Sequence, residues 1–159
     1  MKKIALIALM IFIFSLSAYA ALEISTDHRS LFFGLMKLGE EKGLAQLGVY
    51  HNQITCSSTN GNTWYLKINL LQPLSFAGET IPLENFQWQL VWTNGNGTQV
   101  GNYQYKPFSL FPDLVYTSGP GEASGQGINF QFKYSLKIPE VQLSGVYNTA
   151  IRFTLTEVL

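Results

Sequence analysis

Between Ile128 and Ile138 the chain alternates without a miss. Ile128, Phe130, Phe132, Tyr134, Leu136 and Ile138 fall on one side; Asn129, Gln131, Lys133, Ser135 and Lys137 fall on the other. Strand side chains point to opposite faces at every step, whereas a 3.6-residue period would smear these positions around a helix axis. The run therefore predicts a strand with one buried and one solvated face. The same period recurs in Trp64-x-Leu66-x-Ile68-x-Leu70, with Tyr65, Lys67 and Asn69 opposite, and in Phe86-x-Trp88-x-Leu90-x-Trp92, with Gln87 and Gln89 outward. Asn60-Gly61-Asn62 and Asn94-Gly95-Asn96-Gly97 supply turn residues of the hairpin kind.

Two further strands share a pattern. Gly48-Val49-Tyr50-x-x-x-Ile54 returns as Gly145-Val146-Tyr147-x-x-x-Ile151. In the second copy Tyr147, Thr149, Ile151, Phe153 and Leu155 would face one way, and Asn148, Ala150, Arg152, Thr154 and Thr156 the other. The first copy predicts a strand from about Val49 to Cys56. Residues 22–30 read as an extended lead-in or a first edge strand, Gly39 to Gly43 as an exposed turn, and the segments around Tyr103, Tyr105 and Leu114-Val115-Tyr116 as short strands. Gly119 to Gly127 reads as a flexible loop. No stretch shows helical periodicity. The expectation is an all-β chain: a single antiparallel, immunoglobulin-like β-sandwich of about seven to nine strands.

The first twenty residues read differently. Lys2 and Lys3, the apolar run Ile4 to Leu16 and the small-x-small Ala18-Tyr19-Ala20 form the pattern of a cleaved Sec-type signal peptide. The expected domains are thus a signal peptide, residues 1–20, and the sandwich, residues 21–159. The expected location is the periplasm, cell surface or extracellular space, with no transmembrane segment in the mature chain. Cys56 is the only cysteine, so no intrachain disulfide is possible, which points to a bacterial exported protein; in an alternating strand the thiol reads as a small buried hydrophobe. Without Lys2 and Lys3, eight basic residues face ten acidic ones, a net charge of about −2. No basic cluster exists, which argues against nucleic acid as a partner.

Catalytic chemistry is poorly supplied. His28 and His51 have no convergent ligands at metal spacing, no Gly-x-Ser-x-Gly elbow occurs, and the acids Glu40, Glu41, Glu79, Glu84, Asp113 and Glu122 lie in predicted turns or loops. The expectation is a non-enzyme with no cofactor and no metal. Aromatic residues reach 14% while charged ones are only 13%, so the surface is built from amides, hydroxyls and glycines, as on carbohydrate-facing β-proteins. For Trp64, Trp88 and Trp92, core packing is the better reading and stacking on sugar rings the alternative. Tyr65, Tyr103, Tyr105 and Tyr116 are the better candidates for exposed aromatic contacts.

Trp64-Tyr65-Leu66 and Trp88-Gln89-Leu90 have W-x-L form, and the chain closes on Tyr147-x-x-x-Ile151-x-Phe153-Thr154-Leu155-Thr156. In this order the chain resembles the WxL family of bacterial surface domains. That family carries an internal W-x-L after a turn and a terminal Y-x-x-x-L/I-T-W-x-L strand. Phe153 stands where the family has its second tryptophan, Arg152 stands in place of a threonine, and the trailing proline is absent. The resemblance implies an exported, noncatalytic sandwich held at the cell envelope through peptidoglycan. It marks Trp64, Leu66, Tyr147, Phe153 and Leu155 as binding-motif residues. The partner is then a surface polysaccharide, peptidoglycan or an envelope protein. A second resemblance, to sandwich subunits of pili, fibres and spore-coat-type assemblies, implies a structural subunit joined by strand addition. Residues 21–30 would then serve as the self-associating arm. An eight-stranded outer-membrane barrel fits length and alternation, but the internal prolines, the short strands and the lack of a terminal aromatic argue against it.

Overall fold

The computed structural model describes residues 21–28, 31–44, 51–101 and 103–159. The predicted signal peptide and the first Gly48-Val49-Tyr50 lie outside the described residues. The strands are β1 (Leu22–Thr26), β2 (Glu41–Leu44), β3 (Asn52–Ser58), β4 (Tyr65–Leu70), β5 (Ser75–Phe76), β6 (Glu79–Thr80), β7 (Phe86–Thr93), β8 (Thr98–Gln99), β9 (Lys106–Pro107), β10 (Asp113–Thr117), β11 (Ile128–Lys137) and β12 (Ile151–Thr156), with one 3-10 turn at Leu83–Asn85. Eight of these have four or more residues, within the range that the hydrophobic alternation predicts.

Antiparallel pairing builds two packed sheets. The first runs β1-β3-β11-β7-β9, with β2 beside the second half of β11; the second runs β12-β4-β10-β8. The strand β11 is the spine, because its ten residues are long enough to take two neighbours along one edge. Ile128 to Phe132 pair with Cys56 to Asn52, and Tyr134 to Lys137 pair with Leu44 to Glu41. Apart from the small β5–β6 hairpin, every strand from β3 to β12 is followed by one in the opposite sheet. This is the sandwich that the alternation demanded: each sheet hides one apolar face, and only the facing sheet can cover it. Ile54, Cys56, Phe86, Trp88, Phe130, Phe132 and Tyr134 meet Trp64, Leu66, Ile68, Val115 and Tyr116 in the core. Tyr116 packs against Phe130 at 4.8 Å between ring centres, and Phe132 against Phe153 at 5.1 Å.

Several expectations are corrected by this packing. Residues 41–43 of the predicted Gly39–Gly43 turn, together with Leu44, pair with β11 as β2, since that half of β11 needs a partner for its backbone. The last strand begins at Ile151 rather than Tyr147; upstream of it only isolated bridges remain, at Gly145 with Met36 and at Asn148 with Ser75. Alternation nevertheless persists there, with Tyr147 buried and Val146, Asn148 and Ala150 exposed. Gly145 is required by close packing, because a Cβ there would collide with the Phe76 ring. The glycine-rich stretch is pinned rather than loose: Gly125 N–H donates to the Ser58 carbonyl at 2.7 Å, and Glu122 is buried beneath it.

Candidate functional site

On the outer face of the first sheet, amides and hydroxyls stand in register across neighbouring strands. Gln131 Nε2 donates to Gln53 Oε1 at 3.1 Å, Thr55 Oγ1 to Asn129 Oδ1 at 2.8 Å, and Ser135 Oγ to Glu41 Oε1 at 3.1 Å. The amides and hydroxyls both donate and accept while the Glu41 carboxylate accepts, which suits a hydroxyl-rich ligand. Gln87 and Gln89 continue the row on β7.

Two departures from regular backbone geometry place aromatics beside this row. In β7 the register jumps: Leu90 stands opposite Phe132, but Trp92 stands opposite Gln131, so Val91 is an extra residue in a β-bulge. A bulge reverses the parity of everything beyond it. Trp92, which strict alternation puts in the core, is therefore turned out onto the Gln131 face and is 44% exposed. The second departure is at Tyr103, whose φ of 57° lies in the left-handed region that non-glycine residues rarely occupy. Gln104 N–H closes the turn onto the Gly101 carbonyl at 3.0 Å. The Gln89 amide donates to the Tyr103 carbonyl, and Gln99 Nε2 donates to its hydroxyl at 3.0 Å. A ring that remains 51% exposed is thus held at both ends. Gln89 and Trp92 are three residues apart on β7, so the Tyr103 backbone docks roughly 10 Å along the strand from Trp92, and its ring reaches toward Gln99 on β8. Tyr105, 42% exposed, extends the same edge; burial, and then the nearby Glu41 charge, push its hydroxyl pKa up.

The residues expected to bind are divided by the structure. Tyr103 and Tyr105 are exposed, with Tyr103 docked on Gln89 of β7 and Tyr105 near Glu41. Tyr65 lies half-buried on the other sheet, opposite Thr156 and Thr117. Tyr116, expected to be exposed, is fully buried, and its hydroxyl donates to both oxygens of Glu122 at 2.9 and 3.0 Å. The W-x-L-like residues are packing groups. Trp64 and Leu66 have no exposed surface, Leu155 is the cross-strand partner of Leu66, and Phe153 is that of Ile68. Tyr147 is buried against Phe76 and donates to the Leu143 carbonyl at 2.6 Å. The residue missed by alternation is Trp92. Its signal was present in Leu90-Val91-Trp92, three consecutive apolar residues in a strand that otherwise alternates.

Among the described residues no group of three or more His, Cys, Asp or Glu side chains converges as a metal site. No family model, no curated protein and no solved structure matches this chain.

Proposed function

We propose that this chain is a noncatalytic, exported binding domain of the cell envelope that attaches to a surface polysaccharide through the outer face of its first sheet. The observation that carries the reading is the pair of backbone irregularities, the Val91 bulge and the left-handed Tyr103. The bulge turns the Trp92 ring onto the amide row, and the left-handed turn docks the Tyr103 backbone on Gln89 of that row with its ring exposed. Sugar rings offer apolar CH faces for stacking and hydroxyls for the amides, so Trp92 and Tyr103 would grip the polymer while Gln89 and Gln131 read its hydroxyls. The signal-peptide pattern and the W-x-L resemblance support the envelope as the location, with peptidoglycan glycan strands as one such polymer. Export makes a surface protein the other partner of this kind.

The test is a sedimentation assay of mature protein with cell-wall sacculi and with insoluble glycans, alongside a tryptophan fluorescence titration with soluble oligosaccharides. Trp92→Ala and Tyr103→Ala should each weaken retention about tenfold or more, while the sandwich stays folded. Wild-type protein that remains wholly in the supernatant and gives a flat titration across the panel would sink the proposal.

A second reading, a fibre or coat subunit joined by strand addition, is favoured by β1. It is an edge strand whose residues beyond Leu22 are all exposed, and it is held by its five-residue register with β3. Exchange of β1 between copies would conserve those pairings. Deleting residues 21–30 should then abolish polymerisation; a wild-type protein that stays monomeric at high concentration argues against this reading.

A further inference from the structure

On the edge of the sandwich away from Trp92, where β1 and β12 flank the opening, the two sheets leave a cavity of about 520 Å³. Phe86 and Tyr134 line it from the first sheet, Ile151 and Phe153 from the second, and Phe33 and Leu74 from the connections. A space of this size with mainly apolar walls is of the kind that takes a small ligand.

Two observations indicate what would occupy it. At one end, Tyr134 donates to Asn52 Oδ1 at 2.9 Å. Asn52 is only 4% exposed, yet among the described residues its amide nitrogen makes a single hydrogen bond, to Thr26 Oγ1 at the limiting 3.5 Å. A buried N–H donor in an apolar lining is costly until an acceptor meets it. Around the opening, exposed apolar side chains stand beside the polar Thr26, His28 and Asn148. Leu35 and Val146 flank the Met36–Gly145 bridge on opposite segments, and Phe32, 72% exposed, lines the cavity with Val146. Clustered exposure of this kind marks a surface that meets something apolar. The charge nearby is mixed, since Asp27 pairs with His28 at 3.2 Å beside the Asn52 end. A negative head group would find the His28 ring, which lines the cavity, already paired with that carboxylate.

The geometry points to a binding site for one single-chain amphiphile with a neutral, oxygen-bearing head, of the fatty-alcohol or monoacylglycerol class. The head oxygen accepts from the Asn52 amide, and the acyl chain lies between Phe33, Phe86 and Phe153. This site is separate from the polysaccharide face and does not rest on it.

Nile red, a neutral fluorophore, is the probe. Mature protein should bind it with an emission increase and blue shift at one site per chain, and monopalmitoylglycerol should displace it at lower concentration than palmitate. Ala150→Trp adds a large ring at an exposed position of the lining. It should weaken probe binding by at least about tenfold with the urea unfolding midpoint unchanged. Trp92→Ala should leave probe binding intact, which separates this site from the glycan face. Absent binding, equal binding by the Ala150→Trp variant, or equal displacement by palmitate would overturn the assignment. So would a signal seen only with phosphatidylcholine vesicles, which would mean adsorption to a bilayer, or one that tracks dimer formation in sedimentation.

Discussion

Glu122 shows how far a single residue can depart from its sequence context. It lies in a glycine-rich loop, where acids are ordinarily solvated, yet it is 3% exposed. Its carboxylate accepts from Asn96 N–H and Gly119 N–H at 2.6 Å each and from the Tyr116 hydroxyl, while its carbonyl takes the Trp64 indole N–H at 3.2 Å. Both carboxylate oxygens thus face a backbone donor, which only an acceptor pair can satisfy. Two glycines let the loops approach this closely: a Cβ on Gly97 would collide with the Thr117 carbonyl, and one on Gly119 with the Asn96 amide. Glu122→Gln sets an NH₂ against a backbone N–H and should lower the unfolding free energy by about 2–3 kcal/mol, read by chemical denaturation. Tyr116→Phe leaves the backbone bonds in place and should cost about 1 kcal/mol.

Cys56 tests burial from the other direction. Burial pushes its thiol from the ordinary 9.0 up to about 12. The folded chain therefore holds a proton that the unfolded chain releases, so unfolding gains from each rise in pH above the unfolded value. Stability from this group is intact below pH 9 and should be lost progressively as the pH rises from about 9 to 12. Denaturant midpoints across that window should fall, and Cys56→Ala should flatten the decline.

At the level of the strand, the Val91 bulge decides what β7 presents. Trp64 and Trp88 are buried, so among the three tryptophans a collisional quencher reads mainly Trp92. Deleting Val91 removes the extra residue and leaves Trp92 next to Leu90, hence on the opposite, outer face of a regular strand. Acrylamide quenching should be nearly unchanged by the deletion. In a strand without a bulge, the same deletion would flip a buried Trp92 outward and raise the quenching sharply. The alternation of β11, β4 and the first part of β7 was legible because each of those stretches has one buried face. The short pieces β8 and β9 were not, because two residues carry no period; they exist only where β10 and β7 offer an edge.

The connectivity of the whole molecule sets its folding. Apart from the β5–β6 hairpin, strands that follow one another from β3 onward sit in opposite sheets, so almost no pairing among the described residues is a local hairpin. Closing long loops before any contact forms is slow. Refolding followed by stopped-flow tryptophan emission should take milliseconds to seconds; a microsecond phase carrying the full amplitude would contradict this topology.

What the sequence by itself determined is the architecture. Period-two alternation in Trp64 to Leu70 and Ile128 to Ile138 specifies strands with one apolar face, and two such sheets can bury those faces only against each other. It also determined the buried thiol of Cys56, placed by the same alternation. Only the tertiary structure decided which aromatics reach the surface. One extra residue in a ladder inverted Trp92, an acid six residues on and bonded to the Asn96 loop met the buried Tyr116 hydroxyl, and two glutamines held Tyr103 in a left-handed turn. Parity along a strand is a local property that sequence carries. Bulges, buried polar partners and loop crossings depend on how separate strands and loops meet, so they appear only once the sheets have met.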